Sequence, residues 1–411
     1  MGNFIKSNTG QEEYNKSNKN NRSYSCNNFN DYAYSVGGFR SIYKRIDADI
    51  NLLHEVLYDG SCRKPSRKDV HMNITKVTAS SALPTAPTDV SARWRTVIPG
   101  NMGHRLWLDT EKNRVLVSDG WGVAFSALRL RALDLNDGRE LASARLGNVV
   151  RALVLDADGS WLAATDTKLF RLDRSDLRLI TKWTSRIPKY SDNLVAGAGF
   201  VHAVNNASAG LYAINLATGA VKRRLLDEDV QIHAADDTGL IAVCGNGSLW
   251  RADFGLAAAL RRSAQLPAIC DSAVDRHGRL WLSLGQGRRR ESNRVSWAEP
   301  TAKLGLFDLS AGNNLVEVEL GLPFWQIAVS SNGEKVSVSG VVSREIDGQI
   351  YWSKTDVACY RTSNYECMSW VRVPEGFEVQ SVWPERNLAF ATKMSEQDSD
   401  CAQAELICFS L

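Results

Sequence analysis

From about residue 90 onward the chain repeats itself. A phrase of alternating apolar residues that closes on Asp or Asn returns as LRALDLNDG, LFRLDRSD, LYAINLATG, LWRADFG and LGLFDLSAG, with the polar residue at Asp134, Asp173, Asn215, Asp253 and Asp308. Two weaker copies, VACYRTSN and LICFSL, put Arg361 and Ser410 in that place. Alternation followed by Asn/Asp/Gly turn chemistry is a strand running into a hairpin. Two strand-like runs precede each copy, as RLWLD and RVLVSDG precede the first. A fourth run follows, as RLITKWTSRIP follows the second. Four antiparallel strands every 38 to 55 residues, seven times over, predict an all-β chain folded as a seven-bladed β-propeller.

The two ends of the repeat test this reading. The seventh copy stops at Leu411, directly after a third strand, so its blade lacks an outer strand. At the other end, Trp94-Arg-Thr-Val-Ile98-Pro99 matches Trp183-Thr-Ser-Arg-Ile187-Pro188, which follows the second copy. Trp370-Val-Arg-Val373-Pro374 is one residue shorter. Leu266-Pro267 and Leu322-Pro323 end two further blades in the same way. Proline is tolerated at a sheet edge, or where a strand has just ended. An N-terminal outer strand at about 93–99 is therefore expected to close the ring, which sets the domain boundaries at 1–90 and 91–411.

All twelve tryptophans lie at or after Trp94, and the first thirty residues hold nine asparagines. Such a segment buries too little apolar surface to offset its chain entropy, so residues 1–35 are predicted to be disordered. Phe39, Ile42, Tyr43, Ile46, Ile50, Leu53 and Leu57 recur at helical spacing and predict one short amphipathic helix over 38–58, lying on the propeller or docking a partner. Residues 60–90 are polar and predict an extended linker through SSALPTAPTD. The opening MGNFIKS misses the myristoylation pattern because Lys6 stands where Ser or Thr belongs, so modification of Gly2 is not expected.

The phrases VDRHGRLWLS (274–283) and VSSNGEKVSVSG (329–340) resemble those of the YVTN/quinoprotein-like group of seven-bladed propellers. The resemblance covers about three quarters of the chain. It implies the architecture and little chemistry, because that group spans binding scaffolds and enzymes.

The net charge of +3 points away from a nucleic-acid partner. No apolar run approaches a membrane span, and the start lacks the apolar core of a secretory signal, so a cytoplasmic location is expected. The eight cysteines are then expected as thiols, although Cys359 and Cys367 could face each other across a hairpin. The sequence carries no P-loop, GxSxG or HExxH, and DADGSW lacks one residue of an Asp-box.

Two places could carry function. In a propeller the connections between second and third strands share one face with the blade-to-blade links. Those connections are short in blades two to four and long in blade five (285–302), six (340–354), seven (393–403) and one (118–127). These four blades are neighbours once the ring closes, and insertions clustered on one face of a repeat protein mark a binding surface. Blade five supplies Arg288, Arg289, Arg290, Arg294 and Trp297, blade six Tyr351 and Trp352, and blade one Trp121 and Phe125. Arg, Trp and Tyr are the residue types enriched in interface hot spots. The reading is a non-enzymatic scaffold that holds another protein and needs no cofactor.

The rival site is the channel mouth. Asn148, Asp192, Asn193, Asp271 and Glu378 stand there beside His104, Gln231 and Gln326. Oxygen ligands so placed would suit calcium or another divalent metal in a lactonase-like hydrolase. A third reading is a secreted effector whose Asn/Ser-rich start is an export signal.

Overall fold

The computed structural model describes residues 72–79, 83–166, 168–183, 193–205, 210–226, 230–236, 239–286, 290–291, 294–295, 299–310, 312, 314–346, 349–394 and 402–411. The expectations for residues 1–71, the helix over 38–58 among them, lie outside these residues.

The repeat phrases become the third strands of seven sheets, each built on four antiparallel strands. Blades one to four run in simple order, their innermost strands being Leu106–Asp109, Val150–Leu155, Leu194–Gly197 and Val230–Asp236. Blades five, six and seven begin at Ile269–Val274, Phe324–Val329 and Glu378–Trp383. Asp253 accepts the Ala257 and Ala258 N–H groups, while in four other copies the polar residue that ends the phrase has one shared local task. Its side-chain oxygen accepts the backbone N–H two residues on, from Asn136 to Asp134 at 2.8 Å, Ser175 to Asp173 at 2.7 Å, Ala217 to Asn215 at 3.0 Å and Ser310 to Asp308 at 2.7 Å. Four residues past the start of such a turn the chain enters the left-handed region, at Gly138, Leu177, Gly219 and Gly312.

Ring closure is as the strand count requires. Strand β3 (Ala92–Pro99) lies antiparallel to Gln403–Ser410, the third strand of blade seven, pairing Trp94 with Cys408 and Val97 with Glu405. Trp94 and Ile98 face inward, and Arg95 and Val97 face solvent. The Trp94 indole donates to the Leu135 carbonyl of blade one at 2.8 Å and packs edge-on against Phe390 of blade seven at 5.7 Å. Gly138 gives it room: a Cβ there would lie 2.6 Å from the indole. The core of this joint mixes Leu388, Phe390 and Leu406 of blade seven with Val115, Val117 and Leu133 of blade one. Neighbouring blades elsewhere are joined the same way, as Leu116 and Leu130 of blade one meet Val150 and Phe170 of blade two. Each large side chain so buried contributes roughly 1.5–3 kcal/mol.

Three features differ from expectation. Part of the polar stretch read as linker is strand: β1 (Asn73–Thr78) lies parallel to the outer strand Asn314–Glu319 of blade five, and β2 (Thr88–Asp89) lies parallel to the outer strand Cys367–Arg372 of blade six. The chain thus follows the rim from blade five to blade six before closing blade seven. It covers two open edges, which are otherwise templates for aggregation. Second, the outer strand of blade two already runs over Leu179–Trp183, ahead of the point where the match to Trp94 begins, and the 184–188 part of that match lies outside the described residues. Third, the long connection of blade six is mostly sheet: Lys335–Ile346 and Gln349–Arg361 form one hairpin whose pairing runs to Ile346 opposite Gln349. Its outer half, VVSRE against IYWSK, is rich in the β-branched and aromatic residues that favour strand.

Candidate functional site

The inner strands begin on the same face as the second-to-third connections, and their first residues stitch neighbouring blades together. Asn193 of blade three accepts the Ile232 N–H of blade four at 2.7 Å through its side-chain oxygen. Asp271 of blade five accepts the Ile327 N–H of blade six at 2.9 Å, and the Gln231 amide of blade four at 2.7 Å. A polar chain continues inward. The Ser272 hydroxyl donates to Gln231 Oε1 and lies 2.8 Å from His233 Nε2. Burial pushes the Asp271 carboxyl up to about 6 and the His233 imidazole down to about 4. Lys354 offsets part of the burial effect on Asp271.

This bears on the oxygen-ligand set proposed for the channel. Asn193 and Asp271 are committed to the inter-blade bonds just described, and the Asn148 side chain accepts the N–H of its own neighbour Val149 at 2.8 Å. Glu378 accepts the Gln380 amide through its backbone carbonyl at 3.4 Å. Asp192 lies outside the described residues. Among the described residues no three His, Cys, Asp or Glu side chains converge as metal ligands do.

Of the loop-sector residues, Arg288, Arg289 and Trp297 lie outside the described residues. Arg290 and Arg294 belong to a small hairpin in which Arg290 pairs with Val295 and Glu291 with Arg294. In blade six Tyr351 stands opposite Arg344, and Trp352 opposite Ser343. Phe125 begins a short 3-10 turn, Phe125–Ala127. Trp121 is half-buried. It bridges to Met102 through its backbone, a Cβ on Gly103 would lie 2.3 Å from its ring, and the Arg151 guanidinium of blade two stacks 4.7 Å from its centre. Trp121 therefore ties the blade-one connection to the rim of the channel.

That rim holds a polar cavity of about 160 Å³ whose lining includes His104 and Arg105 of blade one, Arg151 of blade two, Gln326 and Lys354 of blade six, and Gln380 of blade seven. Arg151 Nε contacts Asp166 Oδ1 at 2.7 Å, and Lys354 Nζ donates to Gln326 Oε1 at 3.2 Å. His104 lies 3.0 Å from the Pro99 carbonyl through Nε2, and burial pushes its imidazole down to about 4, so it is neutral near pH 7. Sequence reading placed His104 and Gln326 at the channel but missed Arg105, Arg151, Lys354 and Gln380. One signal was present: VRALVL puts an arginine inside an otherwise apolar inner strand.

No disulfide joins any two of the described cysteines, Cys244, Cys270, Cys359, Cys367 and Cys408. Cys359 stands opposite Ser369 rather than Cys367, and burial raises both of their thiol pKa values. No described helix is long and apolar enough to cross a membrane.

No family model matches the chain, and no curated protein matches it in sequence. The fold is shared with solved propellers. The β-propeller domain of Cps50 (Swd1) from Myceliophthora thermophila superposes with a TM-score of 0.53 at 14% identity, covering 76% of this chain and 98% of that one. The WD40 domain of Pan2 from Neurospora crassa gives 0.53 at 10% identity, covering 79% and 97%. The chain is thus a seven-bladed β-propeller, with the architecture of WD40 domains.

Proposed function

We propose that this propeller is a non-enzymatic scaffold that holds another protein on the face built by blades five, six, seven and one. The observation that carries this reading is the projecting sheet. Blade six extends its central hairpin from Lys335 to Arg361, and blade five adds a small hairpin of its own in which Arg290 pairs with Val295. Blades two and four turn within a few residues, from Thr165 to Leu169 and from Cys244 to Ser248. Val342 on the blade-six hairpin is 43% exposed and stands opposite Ser353, an apolar contact point on the sheet. A hairpin already paired in a sheet spares the backbone ordering cost of docking, and Arg, Trp and Tyr are the residue types enriched in interface hot spots.

The test replaces Arg288, Arg289, Arg290 and Trp297 with Ala and compares proteins that co-purify at equal expression. The expected result is loss of a partner that wild type retains, with unchanged thermal unfolding. A partner set identical to wild type would refute this use of the face.

A further inference from the structure

The cavity at the centre of this face has a chemistry of its own. Arg105, Arg151 and Lys354 bring three cationic side chains to it from blades one, two and six, and Gln326 and Gln380 add amides from blades six and seven. Among its described lining residues none is a carboxylate. Asp166 holds Arg151 through Nε, and Asp271 lies close enough to Lys354 to feel its charge. Trp121 stacked 4.7 Å from Arg151 fixes the guanidinium plane, and Lys354 occupies the Gln326 carbonyl, leaving that side chain to present its amide hydrogens. Holding donors in place before a ligand arrives is what makes an anion site effective.

Size and symmetry narrow the ligand. About 160 Å³ is below the roughly 300–1,000 Å³ of a pocket for a whole drug-sized molecule, so the cavity suits one head group. Donors arriving from four blades around an axis match an oxyanion with several acceptor oxygens better than a planar carboxylate with two. Arginine forks and a lysine point charge are the usual phosphate partners. We propose that the channel-mouth cavity binds the phosphate group of a phosphate monoester, carried either by a small molecule or by a phosphorylated side chain. The site shares Trp121 and Lys354 with the loop surface above, but its test uses the purified chain alone and none of the residues replaced in the partner test, so either reading can fail without the other.

Titration calorimetry on the full chain in low salt would use inorganic phosphate, glycerol 3-phosphate, the peptide Gly-phosphoserine-Gly and acetate as probes. Saturable one-to-one binding of the phosphate probes is expected, with acetate at least tenfold weaker and affinity falling as salt rises. Arg105→Gln and Lys354→Gln should each weaken phosphate binding about tenfold or more. Lys354→Arg should retain it, and Arg178→Gln, on an exposed turn of blade two, should leave it unchanged. Lys354→Arg also guards against misfolding, because it keeps the charge while changing the packing as much as Gln does. Tighter binding of the peptide than of glycerol 3-phosphate would assign the phosphate to a protein, and the reverse to a small molecule. Absence of saturable phosphate binding, acetate binding as tightly, or unaltered affinity in both Gln variants would overturn the proposal.

Discussion

Trp94 should be among the most costly tryptophans to remove, because it seals the joint where the two ends of the propeller meet. Its side chain is buried between blades seven and one, where it packs on Phe390 and donates to the Leu135 carbonyl at 2.8 Å. Truncating a buried tryptophan to alanine costs about 3–5 kcal/mol through lost transfer energy and the cavity left behind. Leaving a buried carbonyl unpaired adds roughly 1 kcal/mol. Trp94→Ala should therefore lose about 4–6 kcal/mol. For a domain of this size that is a fall of roughly 10 °C in the unfolding midpoint, at about 2 °C per kcal/mol. Trp94→Phe keeps a ring against Phe390 and loses the donor, so its cost should be about 1–2 kcal/mol. The internal control is Trp183→Ala in blade two. That residue is half-buried with Arg171 stacked at 5.6 Å, and its removal should cost well under half as much. Circular dichroism during heating, with urea titration at fixed temperature, measures all three. A Trp94→Ala protein within about 1 kcal/mol of wild type, or no less stable than Trp183→Ala, would refute the closure energetics.

Gly138→Ala should disturb the same joint from the other side. Its φ of +75° disfavours a side chain, and its Cβ would meet the Trp94 ring, so a loss of about 1–3 kcal/mol in urea titration is expected. Asp109 is fully buried between Arg114 of blade one and Arg174 of blade two, with the Arg174 contact at 2.6 Å. Asp109→Asn should destabilise by about 3–5 kcal/mol, as expected when one partner of a buried charge network is removed. Asp271 should leave a pH signature. Its folded pKa of about 6 lies above the ordinary carboxylate value, so its burial is tolerated at low pH and costs stability as pH rises from about 4 to 6. His104 and His233 act oppositely: their folded pKa values of about 4 lie below 6.5, and they lose stability as pH falls from 6.5 to 4. The stability difference between wild type and Asp271→Asn, measured from pH 4 to 8, should therefore move against wild type between about pH 4 and 6 and level off above 6. A difference flat across that range would contradict the assigned burial.

What could be read from sequence was whatever is encoded locally and repeated. Asp134, Asp173, Asn215 and Asp308 announced their turns because the side chain bonds a backbone N–H only two residues away. Closure by the Trp94 segment followed from counting strands, which needs no knowledge of packing. The rim strands β1 and β2 were hidden. NITKVT is exposed at every position, so it shows no buried face, and its partner Asn314–Glu319 lies far along the chain. The blade-six hairpin was taken for a loop because it outgrows the length of its sister blades. The cavity was invisible for a third reason. Arg105, Arg151 and Lys354 share no spacing, and only the curvature of the closed ring brings blades one, two and six around one point.

The most direct test of the closed ring is a cross-link between its two ends. Val97 and Glu405 stand directly opposite each other across the closing strand pair, and Val97 is 61% exposed, so both positions accept cysteine without loss of core. Directly opposed residues of an antiparallel pair bring their Cβ atoms to about 4.5–5.5 Å, near disulfide range. Mild oxidation of the Val97→Cys, Glu405→Cys protein should give a monomer in which mass spectrometry finds those two positions joined, with an unfolding midpoint well above that of the reduced form. Failure of the bond to form, or bonds found only between molecules, would contradict closure by this strand.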